Sequence, residues 1–208
     1  ILSKLENSGR DPKALVLVPT RELASQMETA WRDFARFMKT RIGLVYGGTG
    51  YGKQNDMFAS GVDVLIATPG RLLDHMMQGN CRLKNIEWLV LDEADRMLDM
   101  GFLPDVKQII QKCTGKRQTM LFSATIPPEV DYLIKHTMDN PEVVEIGMRR
   151  SPAETVDHAV YPVSEMQKVD LLKDLLSSLN YDSVMVFCRT KIGADKVGNM
   201  LKRENHSV

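Results

Sequence analysis

Short apolar runs recur along the chain, each closed by a polar cluster, and this pattern restricts the chain to very few architectures. Five such runs stand out, at residues 14–18, 62–66, 88–91, 119–122 and 183–187. Near-continuous aliphatic and β-branched strings of this length read as parallel strands covered on both faces. Residues 41–46, 143–146 and 157–163 predict three more strands. Between the runs lie helical stripes. Leu23, Met27, Ala30, Phe34 and Phe37 share one face, as do Phe102, Val106, Ile109, Ile110 and Cys113, and then Val169, Leu172, Leu175, Leu176 and Leu179. Each stripe reads as a helix face packed on a sheet. Strand and helix in alternation predict an α/β fold with a parallel sheet and right-handed crossovers.

The polar clusters follow the strands in a regular way. They are Pro19-Thr20-Arg21-Glu22, Ala67-Thr68-Pro69-Gly70-Arg71, Asp92-Glu93-Ala94-Asp95, Ser123-Ala124-Thr125 and Cys188-Arg189-Thr190-Lys191. In open α/β sheets ligands bind at the carboxyl ends of strands, so five clusters point to one ligand face built from several loops. The acidic tetrad suits magnesium-nucleotide chemistry: Asp92 would hold Mg²⁺ through water and Glu93 would orient and deprotonate an attacking water. Its competing reading is an acidic helix cap. Ser123 and Thr125 suit hydrogen bonds to a neighbouring acid, or equally the capping of a helix that starts near Pro127 and Pro128. Thr20-Arg21 and Thr68-Pro69-Gly70-Arg71 each set a hydroxyl and an arginine at a strand-to-helix turn, which is either an anion site able to track nucleic-acid phosphates or simple capping beside a solvated arginine.

Lys+Arg and Asp+Glu both total 27, so no global basic excess marks a nucleic-acid partner, and any such binding must be local. Cys81, Cys113 and Cys188 form no Cys-x-x-Cys pair and read as reduced thiols of a cytoplasmic protein. His75, His136, His158 and His206 lack metal-ligand spacing and read as surface or internally satisfied histidines. No apolar run is long enough to span a membrane. Gly47 to Lys53 matches the core of a phosphate-binding loop, but Gln54 stands where that loop needs a Ser or Thr hydroxyl for Mg²⁺, so a glycine turn approaching some other ligand's backbone is expected. Ile1 in place of Met and the abrupt end at Val208 read as cut ends.

Taken in order, these motifs resemble the DEAD-box family of ATP-dependent RNA helicases. The chain carries Pro-Thr-Arg-Glu-Leu-Ala at 19–24, Gly-Gly at 47–48, Thr-Pro-Gly-Arg at 68–71, Asp-Glu-Ala-Asp at 92–95, Ser-Ala-Thr at 123–125 and Val-Phe-Cys-Arg-Thr-Lys at 186–191. The segments 122–128 and 151–163 look most like the bacterial RhlE-like group. The resemblance implies a RecA-like first lobe over 1–147 without its nucleotide loop, a linker at 148–156, and the start of a second RecA-like lobe at 157–208. It implies ATP and Mg²⁺ as cofactors and RNA, held mostly by phosphate and sugar, as partner. Asp92 would hold the metal and Glu93 activate water. Asp95 would meet Ser123 and Thr125 and link the nucleotide site to strand separation. Pro19, Thr20, Arg21, Gly48, Thr68, Gly70, Arg71 and Thr190 would line the RNA path, and residues 187–190 would open the second lobe's share of the cleft. The family's adenine-reading segment, phosphate loop and later arginine-rich motif have no match here. The 208 residues alone are therefore expected to be inactive as an ATPase, with their first sheet left with unpaired strand edges. The alternatives are a nucleotide-independent RNA- or protein-binding module, or a DNA-directed helicase or assembly ATPase of the same superfamily.

Overall fold

Four buried residues in a row, Ala14 to Leu17, have no room for an amphipathic arrangement, and they form the central strand of a parallel sheet. In a computed structural model, described here for residues 1–5, 9–146, 157–179, 182–204 and 206–207, the strands are β1 (Ala14–Leu17), β2 (Ile42–Val45), β3 (Val64–Ala67), β4 (Trp88–Leu91) and β5 (Gln118–Leu121). Their order is β2-β3-β1-β4-β5, and every neighbouring pair is parallel. Six helices accompany them: α1 (Arg21–Phe34), α2 (Gly52–Ser60), α3 (Pro69–Met77), α4 (Ala94–Asp99), α5 (Leu103–Lys112) and α6 (Pro128–Thr137). The sheet runs unbroken from β2 to β5, so any further strand could join only at the outer edge of one of these two.

Alternation along each strand divides the core in two. Leu15, Leu17, Leu65, Ala67, Leu89 and Leu91 face one way, onto Leu72 of α3, Ile109 of α5 and Leu133 of α6. Ala14, Val16, Val64, Ile66 and Val90 face the other way, onto Ala24, Met27 and Trp31 of α1. Each fully buried leucine or isoleucine side chain contributes about 1.5–3 kcal/mol relative to exposure.

Register places the site. Leu17 lies level with Ala67 and Leu91, Val45 with Ala67, and Leu121 with Leu91. All five strands therefore end on one row. The ladder runs one residue further, through Thr68 N–H to Val45 O, Val18 N–H to Ala67 O, Asp92 N–H to Leu17 O and Phe122 N–H to Leu91 O, at 2.8–3.0 Å.

The chain divides into two compact units, Ile1–Val144 and Glu145–Val208. The second contains α7 (Lys168–Ser178) and α8 (Lys191–Arg203). The expected linker at 148–156 lies outside the described residues. Three expected strands are corrected: 143–146, 157–163 and 183–187 are irregular. A strand forms only where it is paired with a neighbour, and among the described residues these three segments join no sheet. Ile146 is 96 % exposed and Phe187 is 88 % exposed.

At the amino end of the sheet, Asp63 anchors the entry to β2. Its carboxylate accepts the Arg41 backbone N–H at 2.7 Å and two guanidinium hydrogen bonds at 2.7 and 3.1 Å. Burial pushes the Asp63 carboxyl up, but the Arg41 hydrogen bonds and charge outweigh it and hold it below the usual range. That contribution to stability is present above the unfolded carboxylate pKa and is lost as pH falls through the lower folded value. Because the Arg41 side chain is 40 % exposed, Asp63→Asn should cost about 2 kcal/mol in urea unfolding at neutral pH, and the gap from the unmutated protein should close on acidification.

Candidate functional site

Three of the loops that leave the carboxyl-end row converge around a glycine turn. Thr20 caps α1, its hydroxyl accepting the Leu23 N–H at 3.2 Å, and the same hydroxyl retains an O–H to donate. This seats Arg21 at the first position of the helix, where its guanidinium also reaches Glu22 at 3.1 Å. Thr68 precedes α3, with Pro69 at the first turn and no side-chain cap. One turn position later, Arg71 donates to the Thr49 carbonyl at 2.9 Å and lies 4.2 Å over the Tyr51 ring. Gly48 stands between the two arginines at φ +81°, and a β-carbon there would be 3.9 Å from Arg21 Nη1. A left-handed turn with no side chain lets a ligand backbone come close. The structure thus brings Pro19, Thr20, Arg21, Gly48, Thr68, Gly70 and Arg71 to neighbouring loops. Thr190 belongs to the second unit, where it caps α8 by accepting the Gly193 N–H at 3.0 Å.

The acidic corner is built where β4 passes directly into α4. Glu93 makes the turn in left-handed backbone geometry, φ 48° and ψ 52°, a conformation that costs about 1–2 kcal/mol for a residue with a side chain. Asp92 accepts the Glu93 N–H at 3.0 Å. Burial, with the Glu93 charge adding to it, pushes the Asp92 carboxyl above its usual range despite that hydrogen bond. Glu93 is paired with Arg96 at 3.0 Å.

Asp95 has the opposite environment. One of its oxygens accepts both the Thr125 N–H (2.9 Å) and the Thr125 hydroxyl (2.8 Å), while its own N–H donates to Ser123 Oγ at 3.1 Å. Ser123 passes its hydroxyl proton on to the Thr125 carbonyl at 2.7 Å. Burial pushes the Asp95 carboxyl up, but these hydrogen bonds outweigh it and hold it below the usual range. The capping alternative for Ser123 and Thr125 is corrected: Pro127 is the cap residue of α6 and no side chain caps that helix, because both hydroxyls are already committed to the Asp95 tie.

Two residues to which sequence reasoning gave no site role also belong to this region, and His75 is internally satisfied as one of its two readings had it. Gln54 and His75 are buried and hydrogen-bonded to each other at 2.9 Å. Each occupies a position on the apolar stripe of its helix, Gln54 with Phe58 and His75 with Leu72. A polar residue on such a stripe was the available signal. Cys81 and Cys113 are buried free thiols, pushed up to about 12 and about 11 by burial and so held as unreactive thiols.

The chain is similar to several known proteins. A family model described as DEAD/DEAH box helicase matches residues 1–133. The ATP-dependent RNA helicase DbpA of Bacillus subtilis is 41% identical over 180 residues, covering 86% of this chain and 38% of the relative. The ATP-dependent RNA helicase RhlB of Pasteurella multocida is 38% identical over 205 residues, covering 98% and 48%. A crystal structure of a hypothetical ATP-dependent RNA helicase from Sulfolobus tokodaii superposes with a TM-score of 0.60 at 43% identity, covering 62% of this chain and 39% of that one. The sheet is therefore that of a RecA-like lobe. The chain spans about a third to a half of the length of the curated relatives it matches.

The Asp95 tie should appear as a coupling energy. In a double-mutant cycle of Asp95→Asn and Thr125→Val, read by chemical unfolding, the two changes should be non-additive by roughly 1 kcal/mol. The coupling should fade in acid as Asp95 takes up its proton.

Proposed function

The chain belongs to the DEAD/DEAH box helicase family, and from that premise we propose that it serves an ATP-dependent RNA helicase, in which ATP hydrolysis is coupled to local opening of an RNA duplex. The observation that carries this reading is the direct bond between the acidic corner and a neighbouring loop: Asp95, three residues after Asp92, is held by Ser123 and Thr125 across sequence separations of 28 and 30. A change at the nucleotide side of the corner can move the loop after β5 through that tie.

Glu93 is the residue aimed at an attacking water, with Arg96 fixing its position. Asp92 fits a divalent ion, since its half-buried carboxylate accepts a single backbone N–H and carries the Glu93 charge beside it. Magnesium bound with the nucleotide would supply positive charge against the phosphates. On the other side, Arg21 and Arg71 offer guanidinium forks to phosphate oxygens, and Gly48 admits the sugar-phosphate chain between them. Such contacts track a backbone and carry little sequence information. A preference for RNA over DNA would rest on the 2′-hydroxyl, for which Thr20 and Thr68 are hydroxyl partners of the right kind. Among the described residues no helix is long and apolar enough to cross a membrane, and the cytoplasm is the proposed setting.

Three outcomes test the reading. Binding of single-stranded RNA should fall with salt, and Arg21→Ala or Arg71→Ala should each weaken it and lower the salt slope by about 1. Equal competition by DNA of the same sequence would instead favour a DNA-directed enzyme, and salt-independent or absent RNA binding would favour a protein-binding module. No segment within the 208 residues has the Gly-x-x-x-x-Gly-Lys-Ser/Thr lettering that cradles phosphates, so these residues alone should show no RNA-stimulated hydrolysis. In a longer chain that supplies such a loop, Glu93→Gln should reduce turnover by roughly 10²–10⁴-fold.

Asp92→Asn makes a further test. A carboxyl raised by burial weakens the folded state once ionised, so the penalty is absent below the unfolded pKa and complete above the raised folded value. The substitution should therefore raise Tm at neutral pH, and the gain should vanish in acid.

A further inference from the structure

The glycine turn is held from beneath by a buried imidazole. His75 is fully buried on α3, one helical turn after Arg71. Its Nε2 meets Gln54 Oε1 at 2.9 Å, and its Nδ1 meets the Asn80 amide nitrogen at 3.3 Å. Gln54 in turn donates from Nε2 to the Tyr46 carbonyl at 3.1 Å and to Thr49 Oγ1 at 3.0 Å. A carbonyl can only accept, so the Gln54 nitrogen must face Tyr46 and its oxygen must face His75. His75 Nε2 is then the donor and Nδ1 the acceptor. The pattern matches a neutral imidazole protonated at Nε2, with Nδ1 facing an Asn80 nitrogen that Asn55 Oδ1 and Gln78 Oε1 also share.

The same short turn is gripped from outside by Arg71, which donates to the Thr49 carbonyl. Tyr51 completes the frame: its ring carries the Arg71 guanidinium, its hydroxyl donates to Asp74 at 3.2 Å, and its edge meets the His75 ring at 5.3 Å between centroids. Residues 46–49 are therefore fixed at two points to α3, once directly through Arg71 and once through Gln54 and His75. A glycine turn has few contacts of its own, and its backbone would otherwise be free to wander relative to the arginine beside it.

We propose that His75 is a positioning residue for RNA binding: acting through Gln54, it sets the distance between the 46–49 turn and Arg71 so that both meet one sugar-phosphate chain. His75 itself, being fully buried, touches no ligand. The inference rests on the RNA-binding reading given above and assigns a residue of α3 and a residue of α2 to the same task. Burial and the nearby Arg71 charge both hold the imidazole in its neutral form, against the opposing pull of Asp74, which agrees with the donor and acceptor pattern.

The test compares three variants by fluorescence anisotropy with a labelled single-stranded RNA at low salt. His75→Phe keeps a ring against Phe58 and Tyr51 and removes both nitrogens. Gln54→Met keeps the volume and removes the amide. The third combines them. Each single change should weaken RNA binding by roughly tenfold, and the double variant should be no weaker than Gln54→Met alone, because both act along one line. Nitrogen NMR of the unmutated protein should show His75 in the Nε2–H tautomer. Variants that lose thermal stability but bind RNA as the unmutated protein does would overturn the inference, as would additive losses or the other tautomer. Failure of the unmutated protein to bind RNA at all would instead overturn the RNA-binding reading on which it rests.

Discussion

Everything in the site depends on one row of backbone hydrogen bonds. Val45, Ala67, Leu17, Leu91 and Leu121 end their strands level with one another, and the ladder continues for one more residue into each loop. Adjacent strands are about 4.8 Å apart, so loops leaving neighbouring strands start within a side chain's reach of each other. β3 and β1 set Arg71 and Arg21 side by side, and β4 and β5 set Asp95 beside Thr125. A slip of one residue in any strand would exchange its two buried faces, setting side chains shaped for α1 against α3, α5 and α6 and the reverse. The apolar core on both faces of the sheet therefore enforces the register, and the register in turn assembles the site. Packing leucines on α3, α5 and α6 and packing valines on α1 thus have a chemical consequence at the strand ends.

The acidic corner shows how much a single turn can separate like groups. Asp92 and Asp95 lie three residues apart, yet burial leaves the first raised while hydrogen bonds hold the second lowered. The difference arises at Glu93. By taking left-handed geometry it reverses the chain immediately after the strand, so that Asp92 stays in the mouth of the sheet while Asp95 swings to the loop after β5. The native state tolerates both the backbone strain and the poorly compensated Asp92. Groups that weaken a fold and persist at the mouth of a sheet are what a charged ligand site requires.

The sheet was legible in sequence wherever a strand is covered on both faces, because such strands leave unbroken apolar strings; their ends were misplaced by one or two residues, as at 62–66 against Val64–Ala67. The strings at 143–146 and 183–187 carry the same lettering and are not strands, since lettering records a preference for burial and cannot supply a neighbour. In the site, the Thr20 cap and the place of Arg21 could be argued from the turn itself, whereas for Ser123 and Thr125 the residues gave only a neighbouring acid or a cap, and resemblance alone named Asp95. The tie from Asp95 to Thr125 joins loops that are far apart in sequence and adjacent only through β4 and β5 pairing. Gln54 and His75 were passed over for a related reason: a buried polar residue becomes intelligible only when its partners on other elements are known.

The segment from Gly47 to Lys53 sharpens the point, since its lettering matches a phosphate loop and its structure does not. In a phosphate loop the residue after the lysine turns a hydroxyl toward the metal and the ligand. Here that residue is Gln54, and it points the other way, into the space between α2 and α3, where its amide bonds the Tyr46 carbonyl, Thr49 and His75. The backbone carbonyl of Thr49 is likewise taken by Arg71. A loop whose following side chain is anchored inward leaves its glycine edge open, which is what the proposed RNA path beside Arg21 and Arg71 needs. The same glycines serve either purpose. What decides between them is whether the residue after the lysine faces the ligand or the core, and in this chain a buried histidine holds it to the core.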